Sequence, residues 1–379
     1  RLIRRQRQMC IRDRSSGPGQ IGDTRTPILL GLIIIWFLNW LIVYSGVERG
    51  IERANKIFMP LLLLLTFILV IWSVNLPGAK EGIRQYLKPD FKILSSPKVW
   101  IDAFSQIFFT LSLGFGIMVA YASYLPRKSD INKNAFITSF VNCGYSIFAG
   151  FAVFGTLGYM SLKTGKPLNE VVQQSIGLAF VAYPQTISLL PGFARLFGVL
   201  FFTTLVVAGL SSSISIIEAF SSAIIDKFHS PRKTVVTVVS IAGFLGGIIF
   251  TTGGGLFWLD IVDHFLTHYG LVVVGILECV LVGWIFRSTR LREHINHISD
   301  FRIGKWWDFC IKFLTPVALI IILTSDLIKE LSQPYGSYSW TALLLIGRDW
   351  LIITFLAAII ISQRSWKITF TEKHRSSEE

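Results

Sequence analysis

Residues 108–116, FFTLSLGFG, place two hydroxyls and two glycines (Thr110, Ser112, Gly114, Gly116) inside an otherwise apolar segment. Glycine costs about 1 kcal/mol in a helix interior. An unpaired amide in hydrocarbon costs several kcal/mol more. A broken helix persists in a membrane where its freed backbone groups line a cavity or a ligand. Freed carbonyls suit a cation, and a half-helix N-terminus suits an anion. Thr110 and Ser112 would add side-chain oxygens, and Phe109 and Phe115 an apolar wall. The alternative is a glycine-mediated helix contact whose hydroxyls bond back to their own backbone. The residue types alone leave both readings open.

Two further clusters carry the same chemistry. In residues 208–218, AGLSSSISIIE, Ala208 and Ser212 share one helical face, as do Ser212 and Ile216. The Ala208 carbonyl with the Ser211 and Ser212 hydroxyls could ligate a hard monovalent cation; small-residue packing is the competing reading. In residues 140–150, FVNCGYSIFAG, Asn142 and Ser146 lie one turn apart, the spacing of Gln106 and Thr110 in the first stretch. Four neutral donors and acceptors on two helices could surround a partly dehydrated ion, or simply join the helices.

Ionisable groups within membrane spans are functional candidates by default, and four acids qualify. Asp263 falls near one end of its segment and Asp226 near the opposite end of its own, positions that suit gates. Glu218 and Glu278 lie deeper and read as hydrogen-bonded structural acids. Asp263, His264 and His268 form a DHxxxH pattern that lacks a third strong metal ligand nearby in sequence. No HExxH, GxSxG or P-loop motif is present, so an enzyme has no positive support.

These residues need elements to hold them, and the composition says which. Only 16% of the 379 residues are charged, against about a quarter in soluble domains. A spanning helix needs roughly 20 apolar residues. Nine segments qualify: 27–45, 54–75, 98–124, 131–162, 191–226, 231–250, 255–286, 306–331 and 340–363. The expected fold is therefore an all-α integral membrane protein. Residues 76–97 and 163–190 read as long loops on one side, the second holding EVVQQSIGLAFVAYP as a short hairpin dipping inward. Lys and Arg concentrate in the loops at 46–57, 125–134, 227–233 and 287–305 and in the tail, eighteen against nine in the alternate loops. The positive-inside rule makes the first set, and the C-terminus, cytoplasmic. Cys143, Cys279 and Cys310 have no CxxC spacing and read as packing residues.

The first fourteen residues, RLIRRQRQMCIRDR, have no apolar core. MCIRDR back-translates to a transposon end used in sequencing-library preparation, so residues 1–14 read as a technical scar and 15–26 as a linker. That scar carries five of the thirteen net positive charges. The remainder is ordinary for basic cytoplasmic loops, and nucleic-acid binding is not implied.

Taken together, GVERGIERANKIFMP (46–60), VWIDAFSQIFFTLSLGFG (99–116), YASY (121–124), AGLSSSIS (208–215) and the interval from Asp263 to Glu278 resemble the neurotransmitter:sodium symporter family. The resemblance covers residues 27–363 and implies a LeuT-like inverted-repeat transporter fold. The nine segments would be spans four to twelve of twelve, with spans one to three missing. Residues 27–75 would end the first repeat, 98–286 form the second, and 306–363 supply two accessory helices before the tail at 364–379.

The resemblance also implies roles. Phe109, Thr110, Ser112 and Phe115, with Ser212 and Ile216, match substrate-pocket positions. Thr110 and Asn142 match ligands of one sodium site, and Ala208, Ser211 and Ser212 those of a second; both would be incomplete without span one. Asp263 matches the outer gate acid, and Tyr124 and Asp226 match inner-gate positions. Ser146 stands where chloride-independent relatives carry a glutamate, so Gln106, Thr110, Asn142 and Ser146 resemble a chloride site. The implied protein is a sodium-coupled, chloride-assisted symporter of amino acids or related amines in the plasma or inner membrane. It would be lipid-embedded, compatible with a homodimer, and not an enzyme. A proton-coupled or exchanging transporter on the same fold is the alternative, ahead of an ion channel or a membrane enzyme.

Overall fold

A computed structural model describes residues 21–126, 128–168, 183–188 and 193–364. The expected scar at 1–14, residues 15–20 of the linker, nearly all of the hairpin EVVQQSIGLAFVAYP and the tail beyond Arg364 lie outside the described residues. Those described are helical throughout, joined by turns, with one isolated bridge between Thr24 and Thr252.

Among the described residues, eight helices are long and apolar enough to cross a membrane. They are α1 (Thr26–Tyr44), α2 (Val47–Val74), α6 (Ile131–Thr164), α8 (Ala194–Phe228), α9 (Arg232–Thr251), α10 (Gly255–Ile285), α12 (Lys305–Ser332) and α13 (Trp340–Gln363). The ninth apolar segment is interrupted: α4 (Pro97–Thr110) and α5 (Ile117–Ser123) flank a non-helical stretch. Short helices α3 (Ala79–Leu87), α7 (Tyr183–Ser188) and α11 (Ser288–Ile298) complete the set.

Local chemistry explains several boundaries. Pro97 opens α4, where a missing amide hydrogen is harmless. The Asp130 carboxylate accepts the Lys133 N–H at 2.9 Å and caps α6. Gly165 ends α6 at φ +66°, in the left-handed conformation. The segment read as a linker is docked where it is described: Arg25 N–H donates to Thr251 O at 2.9 Å, and Gly253 N–H to Asp23 O at 2.9 Å. Two stretches read as loops also contain helices, α3 and α11. Helix α3 seats so closely on α6 that a Cβ on Gly82 would overlap the Phe154 carbonyl.

Two of the buried clusters flank the broken helix. Val43 of α1, Ile51 of α2, Leu210, Ile214 and Ile217 of α8 and Val236 of α9 form one core. Ile261 and Val262 of α10 pack on Ala342, Leu343 and Ile346 of α13 in another. Between them, α4 lays Ile101, Phe104 and Phe108 against Val272, Leu319 and Ile322 of α10 and α12. On its other side, α5 buries Ile117 and Ala120 against Ala219 of α8.

Candidate functional site

The interruption at 111–116 is built by backbone conformations that a helix cannot contain. Ser112, Gly114 and Gly116 have φ of +55°, +77° and +72°. Helix α4 closes with Ser112 N–H donating to Phe109 O at 3.0 Å and Leu113 N–H to Phe108 O at 3.1 Å. That pair of bonds is a Schellman closure, with a serine in the left-handed position that glycine usually fills. Helix α5 starts afresh when Ala120 N–H bonds to Gly116 O at 3.0 Å. The Gly114 N–H belongs to neither helix, and α10 packs directly on this point of the bend: a Cβ on Gly114 would lie 3.2 Å from Leu271 O.

Thr110 is the last residue of α4, so its carbonyl is among those left free at the break. Asn142 on α6 meets it: Asn142 Nδ2 lies 3.3 Å and Oδ1 3.4 Å from Thr110 Oγ1. Phe109 and Phe115 approach edge to face across the break, centroids 6.1 Å apart. The structure therefore brings together Thr110, Asn142, Phe109, Phe115 and Ser112. Gln106 and Ser146 lie one turn from Thr110 and Asn142 on their helices. Both are exposed, and the Ser146 hydroxyl donates to its own helix at Asn142 O, 2.9 Å.

The serine run of α8 is a second layer. Ser211 Oγ donates to Ala208 O at 2.9 Å, pairing two of the three expected ligands, while Ser212 and Ile216 share an exposed face. Ser215 bonds the Tyr121 hydroxyl of α5 at 2.8 Å, and Ser213 donates to the buried Asn39 of α1 at 2.7 Å. These bonds tie the broken helix to α8 and α8 to α1.

One turn further along α8, Glu218 is wholly buried. Arg232 donates to both of its oxygens, at 2.8 and 2.5 Å, and Tyr124 donates at 2.6 Å. Arg232 also donates to Val43 O at 3.1 Å. Tyr124 is thus engaged with Glu218, whereas the other expected gate residue at this end, Asp226, is exposed. At the opposite end Asp263 is exposed, its carboxylate unbonded among the described residues. Sequence reasoning passed over Tyr121, Asn39 and Arg232, which sit on four different helices together with their partners. It read Glu218 and Glu278 only as structural acids.

Oxygen-rich positions at a helix break in the middle of a membrane bundle define a transporter for small polar solutes or ions. The sequence profile of the Sodium:neurotransmitter symporter family matches residues 10–367, and the chain belongs to that family. It is 46% identical over 349 residues to an uncharacterized sodium-dependent transporter of Methanocaldococcus jannaschii, covering 92% of this chain and 71% of that protein. It is 34% identical over 334 residues to the sodium-dependent dopamine transporter of Caenorhabditis elegans, covering 86% of this chain and 54% of the other. Over 348 residues it is 32% identical to the human sodium- and chloride-dependent neutral and basic amino acid transporter B(0+), covering 86% and 52%. The chain thus spans about half the length of the animal relatives. The family consists of sodium-coupled membrane transporters and not of enzymes.

Proposed function

We propose that the protein is a sodium-coupled, chloride-assisted symporter of amino acids or related amines, working by alternating access. The observation that carries this reading is the meeting of Thr110, at the end of a half-helix, with Asn142 at 3.3 Å. A hydroxyl and an amide oxygen beside freed carbonyls are hard, neutral ligands suited to a monovalent cation. No carboxylate stands among these first ligands to serve as a proton carrier.

In this reading Thr110 and Asn142 contribute to one sodium site, and Ala208, Ser211 and Ser212 to a second. Phe109, Thr110, Ser112, Phe115, Ser212 and Ile216 line the substrate pocket. Charge balance favours an anion near bound sodium when the surrounding site is neutral; Gln106, Thr110, Asn142 and Ser146 would hold chloride. The turns at 251–254 and 333–339 face outward with Asp263 as a gate acid. Tyr124 and Asp226 gate the cytoplasmic side, where the C-terminus lies. The membrane is the plasma or inner membrane.

The test is uptake of an amino-acid panel into proteoliposomes holding the full-length gene product. Sodium is exchanged for potassium and chloride for gluconate, with wild type and Ser146→Glu compared. Uptake that needs sodium and chloride, with chloride dependence lost in the variant, is the expected result. Sodium-dependent uptake indifferent to chloride overturns the halide site. Uptake without any sodium effect overturns the symporter.

A further inference from the structure

The DHxxxH pattern finds partners that the sequence did not offer. His264 Nε2 on α10 lies 3.1 Å from Glu330 Oε2 on α12, with both side chains nearly buried. One turn along, His268 Nδ1 lies 2.8 Å from Asp326 Oδ2, more exposed. The same Glu330 oxygen accepts the Tyr269 hydroxyl at 2.5 Å. Tyr335, in the turn after α12, stacks on the His264 ring with centroids 3.7 Å apart and planes within 6°. Tyr335 and Tyr338 both donate to Asp260, at 3.2 and 2.8 Å. Two imidazoles and two carboxylates, each pair at four-residue spacing, therefore clasp one end of α10 to one end of α12.

We infer that this clasp is a proton-operated latch: protonated His264 and His268 fasten α10 to α12, and their neutral forms release it. The charges facing the pair are few. From α10 come Asp260 and Asp263, and from α12 come Asp326 and Glu330. Lys329 of α12 is exposed. The turn at 333–339 brings Tyr335 and Tyr338. The face of α10 toward α13 is apolar, Ile261 and Val262 on Ala342, Leu343 and Ile346. Four carboxylates thus converge with two imidazoles. When both rings are neutral the acids repel uncompensated, and when both are charged two of the acids are paired.

A π-helical turn, Leu266–Gly270, lies within the clasp. Such turns interrupt the regular helical ladder and recur at functional sites. It makes this part of α10 the segment whose local opening the latch would control. Imidazole is the side chain whose charge ordinarily changes between about pH 5 and 8. The latch is therefore closed in acid and opens as pH rises. Asp263 adjoins His264 on the same helix, so a closed latch restrains the expected gate. That consequence for transport rests on the symporter reading; the latch itself does not.

The experiment is hydrogen exchange of residues 260–275 in the full-length protein in lipid nanodiscs, with a metal chelator throughout. After correction for the pH dependence of intrinsic exchange, protection should be about fivefold greater at about pH 5.5 than at about pH 8. His264→Gln with His268→Gln, and separately Asp326→Asn with Glu330→Gln, should each abolish the difference. His268→Gln alone, at the exposed pair, should reduce it. Unchanged protection in α8 shows that a variant is folded. No pH difference in the wild type, or a difference persisting in both double variants, overturns the latch. Either result leaves sodium-dependent uptake as a separate question, decided by its own assay.

Discussion

Removing Glu218 should unfasten the end of the bundle where α5, α8, α9 and α1 meet. The carboxylate is fully buried and accepts two bonds from Arg232 and one from Tyr124. The Arg232 side chain is 26% exposed, so it recovers part of its hydration when its partner is removed. Breaking a buried pair from one side costs about 3–5 kcal/mol, and this partial exposure sets the expectation for Glu218→Ala at the lower limit, about 3 kcal/mol. That is about a hundredfold change in the folded-to-unfolded ratio. Arg232→Ala should cost a similar amount, because it leaves the buried carboxylate with Tyr124 alone. Much of both losses is the same uncompensated-charge penalty. The double variant should therefore cost clearly less than the two singles together. Tyr124→Phe removes one hydrogen bond to a charged acceptor and should cost about 1.5 kcal/mol. Unfolding midpoints in detergent for the four members of the Glu218–Arg232 cycle give the coupling directly. Additive losses, or a Glu218→Ala cost below that of Tyr124→Phe, would refute the buried pair as the fastening.

Three other perturbations follow from the geometry. Gly114→Ala forces a side chain into the left-handed region at φ +77° and brings its Cβ to 3.2 Å from Leu271 O. It should destabilise by more than the bare strain of about 1–2 kcal/mol. Gly116→Ala, at φ +72° with open space around it, should show the strain alone, and equal melting losses for the two would contradict the contact. Gly82→Ala meets the Phe154 carbonyl of α6 and should cost about 1–3 kcal/mol by overpacking, whereas Gly144→Ala, with nothing near its Cβ, should be neutral or stabilising in the same melt. At the other end of α6, backbone N–H groups of Asp300 and Lys133 bond to Asp130 and hold its carboxyl below the ordinary value. A lowered folded pKa makes this contribution complete above the ordinary carboxyl value of about 3.9 and lost as pH falls through the lowered one. Protection of the Asp300 amide should follow that acid limb and be absent at all pH values in Asp130→Ala.

The break in α4–α5 was legible because glycines and hydroxyls inside an apolar run are locally improbable. Thr110 and Asn142 were legible through their side-chain types and their one-turn companions. The spacing that placed Ser212 and Ile216 on one face also survives folding. What the sequence hid was pairing between helices. Arg232 follows Glu218 by fourteen residues and across a turn, and Tyr124 precedes it by ninety-four, so no helical period links them. The partners of His264 and His268 were hidden because Glu330 and Asp326 arrive from α12. Helices α3 and α11 were read as loops because both are short and polar, lie between long apolar runs, and α3 is flanked by Pro77 and Pro89. Their helicity depends on docking, as the closeness of Gly82 to Phe154 shows for α3.

Several of the proposed ion ligands already hold hydrogen bonds in this structure, and that bears on how such sites switch. Thr110 bonds Asn142, Ser211 bonds Ala208 O, and Ser146 bonds Asn142 O. Each is a neutral hydrogen bond worth about 0.5–1.5 kcal/mol net. A cation that takes these oxygens would exchange weak bonds for stronger charge–dipole contacts without having to unfold a helix. The larger reorganisation would fall on residues 111–116, whose backbone already departs from helical conformation at Ser112, Gly114 and Gly116. Helix α10 packs on that stretch at Gly114, and Tyr121 holds α5 to Ser215. A change of ligation at Thr110 is thereby positioned to move α5 against α8 as a body. On this argument, the broken helix supplies the ligands and is also the joint through which their occupancy would reach the Glu218–Arg232 fastening.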